Sequence, residues 1–340
     1  MEGETTSATR HAEPSCESGH CMDRDEGLDA YRMVRPIVMA CDESYAMQLA
    51  IALRSAVDAN RSGEPLNVYV LCDDFSSSIR QKVINSLPQG SAAIHWVPVD
   101  LSSFEGFSTL PHISKMTFAR FMIPRIFGKD VRRVLYLDAD VLVLEDLGPL
   151  WDTDLKGSVI GAVLDRILDP QIKARAPGLE KFPRVRDYFN AGVLLIDLDR
   201  WRKETISESA LEYLIRHPDS PLADQDALNA ACDGRWTELD LSWNFYDHFK
   251  TAILHMPAAE RPKIAHFTGQ KPWKASALSV NADLYEVFRR RTRFARSPSD
   301  RLRDLGTRVW FRLRRHLART RLGQAFRSRY KGKHTGYKTE

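Results

Sequence analysis

From Pro36 onward, short apolar runs alternate with amphipathic stretches. PIVMAC (36–41) precedes an amphipathic segment from Ser44 to about Val57, and LNVYVLC (66–72) precedes another from about Ser76 to Leu87. AAIHWVPV (92–99) follows, then a helical pattern from Ser114 to Phe127 and the run RRVLYL (132–137) entering DADVLVL (138–144). SVIGAV (158–163) and AGVLLIDL (191–198) continue the series before a helical stretch from about Arg200 to His217. Near-continuous apolar runs fit strands covered on both faces, and the segments between them carry the helical period. The alternation predicts an α/β fold, a mostly parallel sheet flanked by helices. No internal repeat interrupts it.

The two ends depart from this pattern. Residues 1–33 are polar, aperiodic and rich in Glu, Ser, Thr and His, the composition of a disordered segment. A single α/β domain is expected over 34–288. Residues 289–340 carry 18 Lys/Arg against three acids, so this tail holds +15 and the preceding residues −11 of a net +4. Ser297-Pro298-Ser299-Asp300 reads as a helix start. Leu302, Leu305, Val309, Leu313 and Leu317 then recur every three or four residues, beside Trp310 and Phe311 and amid arginines. This is the pattern of a basic amphipathic helix lying on an anionic membrane surface. A helix docked on its own domain is the plain alternative. A nucleic-acid tail would not need the apolar stripe, so no nucleic-acid partner is expected.

Five cysteines without a regular framework, in a 340-residue chain large enough to bury a core, indicate a reducing compartment. The N-terminus lacks a basic start followed by an apolar run, and no later stretch approaches a membrane span. The expected location is the cytoplasm, at the inner face of the membrane if the tail binds there.

Open α/β sheets bind ligands beyond the carboxyl ends of their strands, where Asp42 and Asp138 stand. The strongest local signal is Asp138-Ala139-Asp140, embedded between Val134-Leu-Tyr-Leu and Val141-Leu-Val. Carboxylates two apart on extended chain face the same way and can converge on one ion. Two like charges in apolar surroundings need a cation, and hard divalent ions prefer carboxylate and phosphate oxygens. The simpler alternative is a strand ending at Asp138, with Asp140 solvated in a turn.

Six ordered blocks complete the picture: VMACDESYAMQLAIALRS, HISKMTFAR, VLYLDADVLVLEDLGPLWDTDL, YFNAGVLLIDLDRWR, ADQDALN and HFTGQKPW. Together they resemble the retaining glycosyltransferases of family 8, in particular the bacterial galactosyltransferases of lipooligosaccharide and lipopolysaccharide synthesis. The resemblance implies a GT-A fold, a UDP-hexose donor (galactose or glucose), a saccharide or lipid-linked oligosaccharide acceptor, and Mn2+ or Mg2+ as cofactor. It implies that Asp138, Asp140 and His266 ligate the metal. Asp42 and Tyr45, with Ser44 between them, would receive the uridine, and Ala40 and Ala139 would contact the UDP-sugar. Arg120, Gly269 and Lys271 would approach the diphosphate, and Asp165, Asn190, Asp224 and Gln225 would line the hexose pocket. Two departures stand out: Ser44 where the family often has Asn, and Phe118 where it more often has Tyr.

Gln225 is by resemblance nearest the reacting carbon, but an amide is a poor nucleophile. Asp165 and Asp224 are the better covalent candidates by chemistry. Retention is compatible with two inversions through such a nucleophile or with same-face attack. Two other functions use the same features: a metal-dependent nucleotidyltransferase built on Asp138 and Asp140, and a nucleic-acid-binding protein acting through its basic tail.

Overall fold

The computed structural model describes residues 35–107, 114–165, 187–220, 222–246, 251–269 and 271–319. The expected non-globular segment 1–33 and the end of the tail, 320–340, lie outside these. In chain order the strands are β1 (Pro36–Ala40), β2 (Leu66–Cys72), β3 (Ala92–Pro98), β4 (Arg133–Leu137), β5 (Val141–Val143), β6 (Ile160–Leu164), β7 (Phe189–Asp197), β8 (Trp236–Glu238) and β9 (Ile264–His266). The main sheet has the order β3-β2-β1-β4-β7-β6-β8. Its pairs are parallel except where β7 meets β4 and β6, so one reversed strand sits inside an otherwise parallel sheet. β5 and β9 form a separate antiparallel pair.

The helices are α1 (Ala46–Ala59), α2 (Ser77–Ile84), α3 (Leu198–Lys203), α4 (Ile206–Arg216), α5 (Asp224–Ala231), α6 (Ala282–Arg289) and α7 (Pro298–Arg319). The strands read as continuous apolar runs because both faces of the sheet are covered. Ile37 and Met39 of β1 pack with Leu49 and Leu53 of α1, while Val38 between them packs with Phe118, Phe121 and Trp201 on the opposite face.

Three helical expectations are met with changes. The segment starting at Ser44 opens as a 3-10 turn, Glu43–Tyr45, capped where the Asp42 carboxylate accepts the Ser44 N–H, and α1 follows. Residues 114–127 wind as a 3-10 helix, Lys115–Met122, before one α-turn, Ile123–Ile126. Pro124 has no N–H to return to the Arg120 carbonyl, which takes the Ile123 N–H instead. The 200–217 stretch is two helices, α3 and α4, because Thr205 between them adopts φ +50°.

Residues 289–297 pack on the domain: Arg291 pairs with Asp58 at 2.7 Å, and the Arg293 N–H donates to Ser86 Oγ. Helix α7 begins after them with Ser297 as its cap, whose Oγ accepts the Asp300 N–H at 3.1 Å.

Candidate active site

A cleft of about 410 Å³ opens at the carboxyl ends of β1 and β4. The β4–β5 connection carries Asp138, Ala139 and Asp140. It is a turn rather than extended chain, yet Asp140 is buried in it, so it matches neither the expected extended geometry nor the solvated alternative. Pairing of β5 with β9 places His266 opposite Val141, and the Phe267 N–H donates to the Asp140 carbonyl. His266 Nε2 consequently lies 3.2 Å from Asp140 Oδ1 and 3.6 Å from Asp138 Oδ2. One ligand atom from each of the three residues falls within 4.8 Å of the others.

Strand β7 forms the floor. The Asp138 N–H donates to the Gly192 carbonyl at 2.8 Å, and a Cβ at 192 would stand 2.7 Å from Asp138 Oδ2 and overlap the His266 ring. Only glycine leaves this cradle open. A set of two carboxylates and one imidazole, converging across it, fits a divalent ion such as Mn2+.

Lys271 supplies positive charge here. Its Nζ donates to Asp140 Oδ2 at 2.5 Å and to the Phe267 carbonyl at 2.6 Å. Burial alone would raise the Asp140 carboxyl, but Lys271 and His266 outweigh it and hold it below the ordinary carboxylate range. Burial would lower the Lys271 ammonium, and Asp140 instead raises it. Lys271 lies 5.5 Å from the Trp273 ring centre, and that ring meets Tyr45 edge-on.

Arg120 is buried, with four of its five N–H groups hydrogen-bonded to the protein. Nε donates to the Thr117 carbonyl and Nη1 to the Ala191 carbonyl. Nη2 reaches Asp138 Oδ1 at 3.1 Å and Thr117 Oγ1 at 3.2 Å. Its Nη1 also lies 3.0 Å from Asp224 Oδ2, close enough for the charges but off line for a hydrogen bond. Arg120 therefore bridges the Asp138 carboxylate and the first residue of α5, at the cleft where it was expected to meet the donor. Phe118, in place of the expected tyrosine, faces away into the core and stacks on Phe104 at 5.2 Å.

The opposite wall comes from the N-terminus of α5, set by Ala223 at φ +44°. Burial pushes the Asp224 carboxyl up to about 6, against the opposing pull of Arg120 and of Thr117, whose hydroxyl donates to it. Gln225 Oε1 accepts the Ala191 N–H at 3.0 Å, and its Nε2 donates to Tyr188 Oη at 3.3 Å. Asp165 accepts the Tyr246 hydroxyl at 3.2 Å. Asp42 accepts the Ser114 hydroxyl at 2.6 Å.

The cleft is thus lined by Ala40, Asp42 and Tyr45, by Arg120, Asp138, Ala139 and Asp140, and by Asp165, Asn190, Asp224, Gln225, His266 and Lys271. Of the expected site residues, Ser44 and Gly269 are exposed and stand outside this lining. Ser44 instead donates to Asp42 Oδ1 through its N–H and its hydroxyl. Sequence reasoning missed Thr117, Tyr136, Gly192 and Asn244. Tyr136, whose hydroxyl donates to Asp138 Oδ1 at 2.7 Å, carried a signal in its spacing, two residues before Asp138 on the same strand face. Thr117 and Asn244 carried none.

A mixed α/β sheet with a charged cleft at its strand ends, able to seat a divalent ion, is the arrangement of a ligand-binding α/β enzyme. The family model described as Glycosyl transferase family 8 matches residues 36–277, and the chain belongs to that family. It is similar to General stress protein A of Bacillus subtilis, 28% identical over 267 residues that cover 73% of this chain and 91% of that one. It is also similar to the lipopolysaccharide 1,2-glucosyltransferase of Escherichia coli, 24% identical over 74% of this chain and 76% of that one. The crystal structure of the galactosyltransferase LgtC with donor and acceptor sugar analogs superposes with a TM-score of 0.64 at 29% identity, covering 79% of this chain and 99% of that one. The mostly parallel sheet flanked by helices is the GT-A fold of these neighbours.

Proposed function

We propose that this glycosyltransferase moves a hexose, galactose or glucose, from its UDP donor to a hydroxyl of a saccharide or lipid-linked acceptor in surface-glycan synthesis. The observation that carries the proposal is the convergence of Asp138, Asp140 and His266 with Lys271 on one wall of the cleft that Asp165, Asn190, Asp224 and Gln225 share. Asp138, Asp140 and His266 would hold Mn2+ or Mg2+, which supplies electrostatic stabilisation of the departing diphosphate. Lys271, whose Nζ donates to Asp140, would be the protein cation beside that diphosphate. Tyr45 offers a ring for the uracil and Asp42 an acceptor for it.

Retention proceeds by same-face attack in this reading. Asp224 is tied to Arg120 and Thr117, and both ends of the Gln225 amide are held by the protein, so neither is a free nucleophile. Family membership favours hexose transfer over the nucleotidyltransferase reading, since the sugar-side residues line the same cleft as the carboxylates.

The catalytic domain acts from the cytoplasmic face of the membrane, held there by α7. Leu302, Leu305, Val309, Trp310 and Leu313 are exposed along that helix while its other side meets the domain at Ala275–Ala277 and through Arg308 near Asp283, and the open apolar stripe supports a lipid partner. Among the described residues no helix is long and apolar enough to cross a membrane.

Calorimetric titration with UDP tests the site. Wild type should bind UDP at least tenfold more tightly with Mn2+ than without, a difference of about 1.4 kcal/mol, and Asp140→Ala should lose that increment. Equal affinity with and without Mn2+ in wild type would contradict the metal assignment.

A further inference from the structure

Asn244 lies outside every motif singled out in the sequence, yet it is completely buried beside the metal ligands. Its Nδ2 donates to Asn190 Oδ1 at 2.8 Å, and its Oδ1 lies 2.9 Å from His266 Nδ1. The orientation of this chain of groups follows from one unambiguous donor. The Gly192 backbone N–H, which can only donate, points to the Asn190 side chain at 3.0 Å, so that atom is the amide oxygen. An oxygen there requires Asn244 to present its NH2 toward Asn190 and therefore its oxygen toward His266. His266 Nδ1 must then carry the hydrogen, which leaves Nε2 facing Asp138 and Asp140.

We infer that Asn244 is a positioning residue that locks His266 as an Nδ1–H donor with Nε2 aimed at the metal position, and couples that ligand to Asn190 in the sugar pocket. A ligating imidazole needs its second nitrogen held by an acceptor to fix the ring and its tautomer, and loss of such a partner typically costs ten- to a hundredfold in metal affinity. The same chain has a consequence on the donor side. With its oxygen engaged by Gly192 and Asn244, Asn190 has its NH2 to offer a sugar hydroxyl. The inference rests on the assignment of His266 as a metal ligand.

The test combines Mn2+ affinity, read from the electron paramagnetic resonance of free Mn2+, with nitrogen-15 spectra of the histidine rings in the metal-free protein. Wild type should show His266 Nδ1 bearing a hydrogen. Asn244→Leu, which removes the acceptor, should bind Mn2+ about tenfold or more weakly. Asn244→Asp keeps an acceptor for Nδ1–H but sets its second oxygen against Asn190 Oδ1, so it should weaken Mn2+ binding by less than the roughly tenfold expected when the acceptor is removed, a partial rescue that a purely structural role would not predict. A bare Nδ1 in wild type, or undiminished Mn2+ affinity in folded Asn244→Leu, overturns the inference. If Asn244→Leu does not fold, the wild-type spectrum and Asn244→Asp still decide. His266→Ala separates the two levels. If it loses Mn2+ while Asn244→Leu keeps it, only the positioning role fails; if it keeps Mn2+, the ligand assignment fails and takes the positioning role with it.

Discussion

At Asp224 burial and charge pull in opposite directions. Removal from water favours the neutral acid, while Arg120 and Thr117 favour the carboxylate, and the balance leaves the group raised from 3.8 to about 6. Below the ordinary carboxylate range both folded and unfolded chains hold the proton. As the pH climbs from about 4 to about 6, the unfolded chain has released a proton that the native state keeps, so this residue's contribution to stability falls, by roughly 3 kcal/mol, and is constant above. Asp224→Asn cannot release a proton. Urea unfolding of metal-free protein should therefore show the variant gaining on wild type by about 2–3 kcal/mol between pH 4 and pH 7. A difference that does not change with pH would mean that Asp224 titrates like an exposed carboxylate. Arg120 belongs to the same balance. Its guanidinium is the shared partner of Asp138 and Asp224, and truncating it would strand both charges at a cost of about 3–5 kcal/mol.

Among the elements, β1, β2, β4, β6 and β7 were legible in the sequence because strands buried on both faces leave unbroken apolar runs. The reversal of β7 was not, since an apolar run carries no direction. The same holds for the β5–β9 pair: VLV and IAH are three residues each, too short for periodicity, yet their pairing is what brings His266 to Asp140. Asp138, Asp140, His266 and Lys271 could be named from motif blocks, whereas Thr117 and Asn244 act through contacts that only the folded chain makes. Helix α7 was legible as an amphipathic period. Its exposed stripe predicts a measurable property of that element: replacing Leu305 and Trp310 by Glu together should abolish flotation with vesicles rich in anionic lipid while leaving UDP binding intact. Equal flotation of variant and wild type would remove the membrane role from this face. The basic flank of the helix adds that binding to anionic vesicles should weaken as salt rises.

Across the whole molecule, charge and chemistry are divided. Residues 1–288 carry −11 and the remainder +15, a division that in the proposed function lets the body with its carboxylate-lined cleft and the arginine-rich helix address different partners. The arrangement suits an enzyme whose soluble donor enters a metal-dependent cleft while its acceptor is presented at a surface. The central claim is that this cleft activates a UDP-hexose through a cation held by Asp138, Asp140 and His266. Slow donor hydrolysis tests it without the acceptor in hand: UDP release from a panel of UDP-sugars, with and without Mn2+, by wild type and by Asp140→Ala. The account predicts turnover of one UDP-hexose, only with Mn2+ and only by wild type, with the variant down at least a hundredfold, about 2.7 kcal/mol in barrier. Release that proceeds equally without metal, or equally in Asp140→Ala, would contradict it.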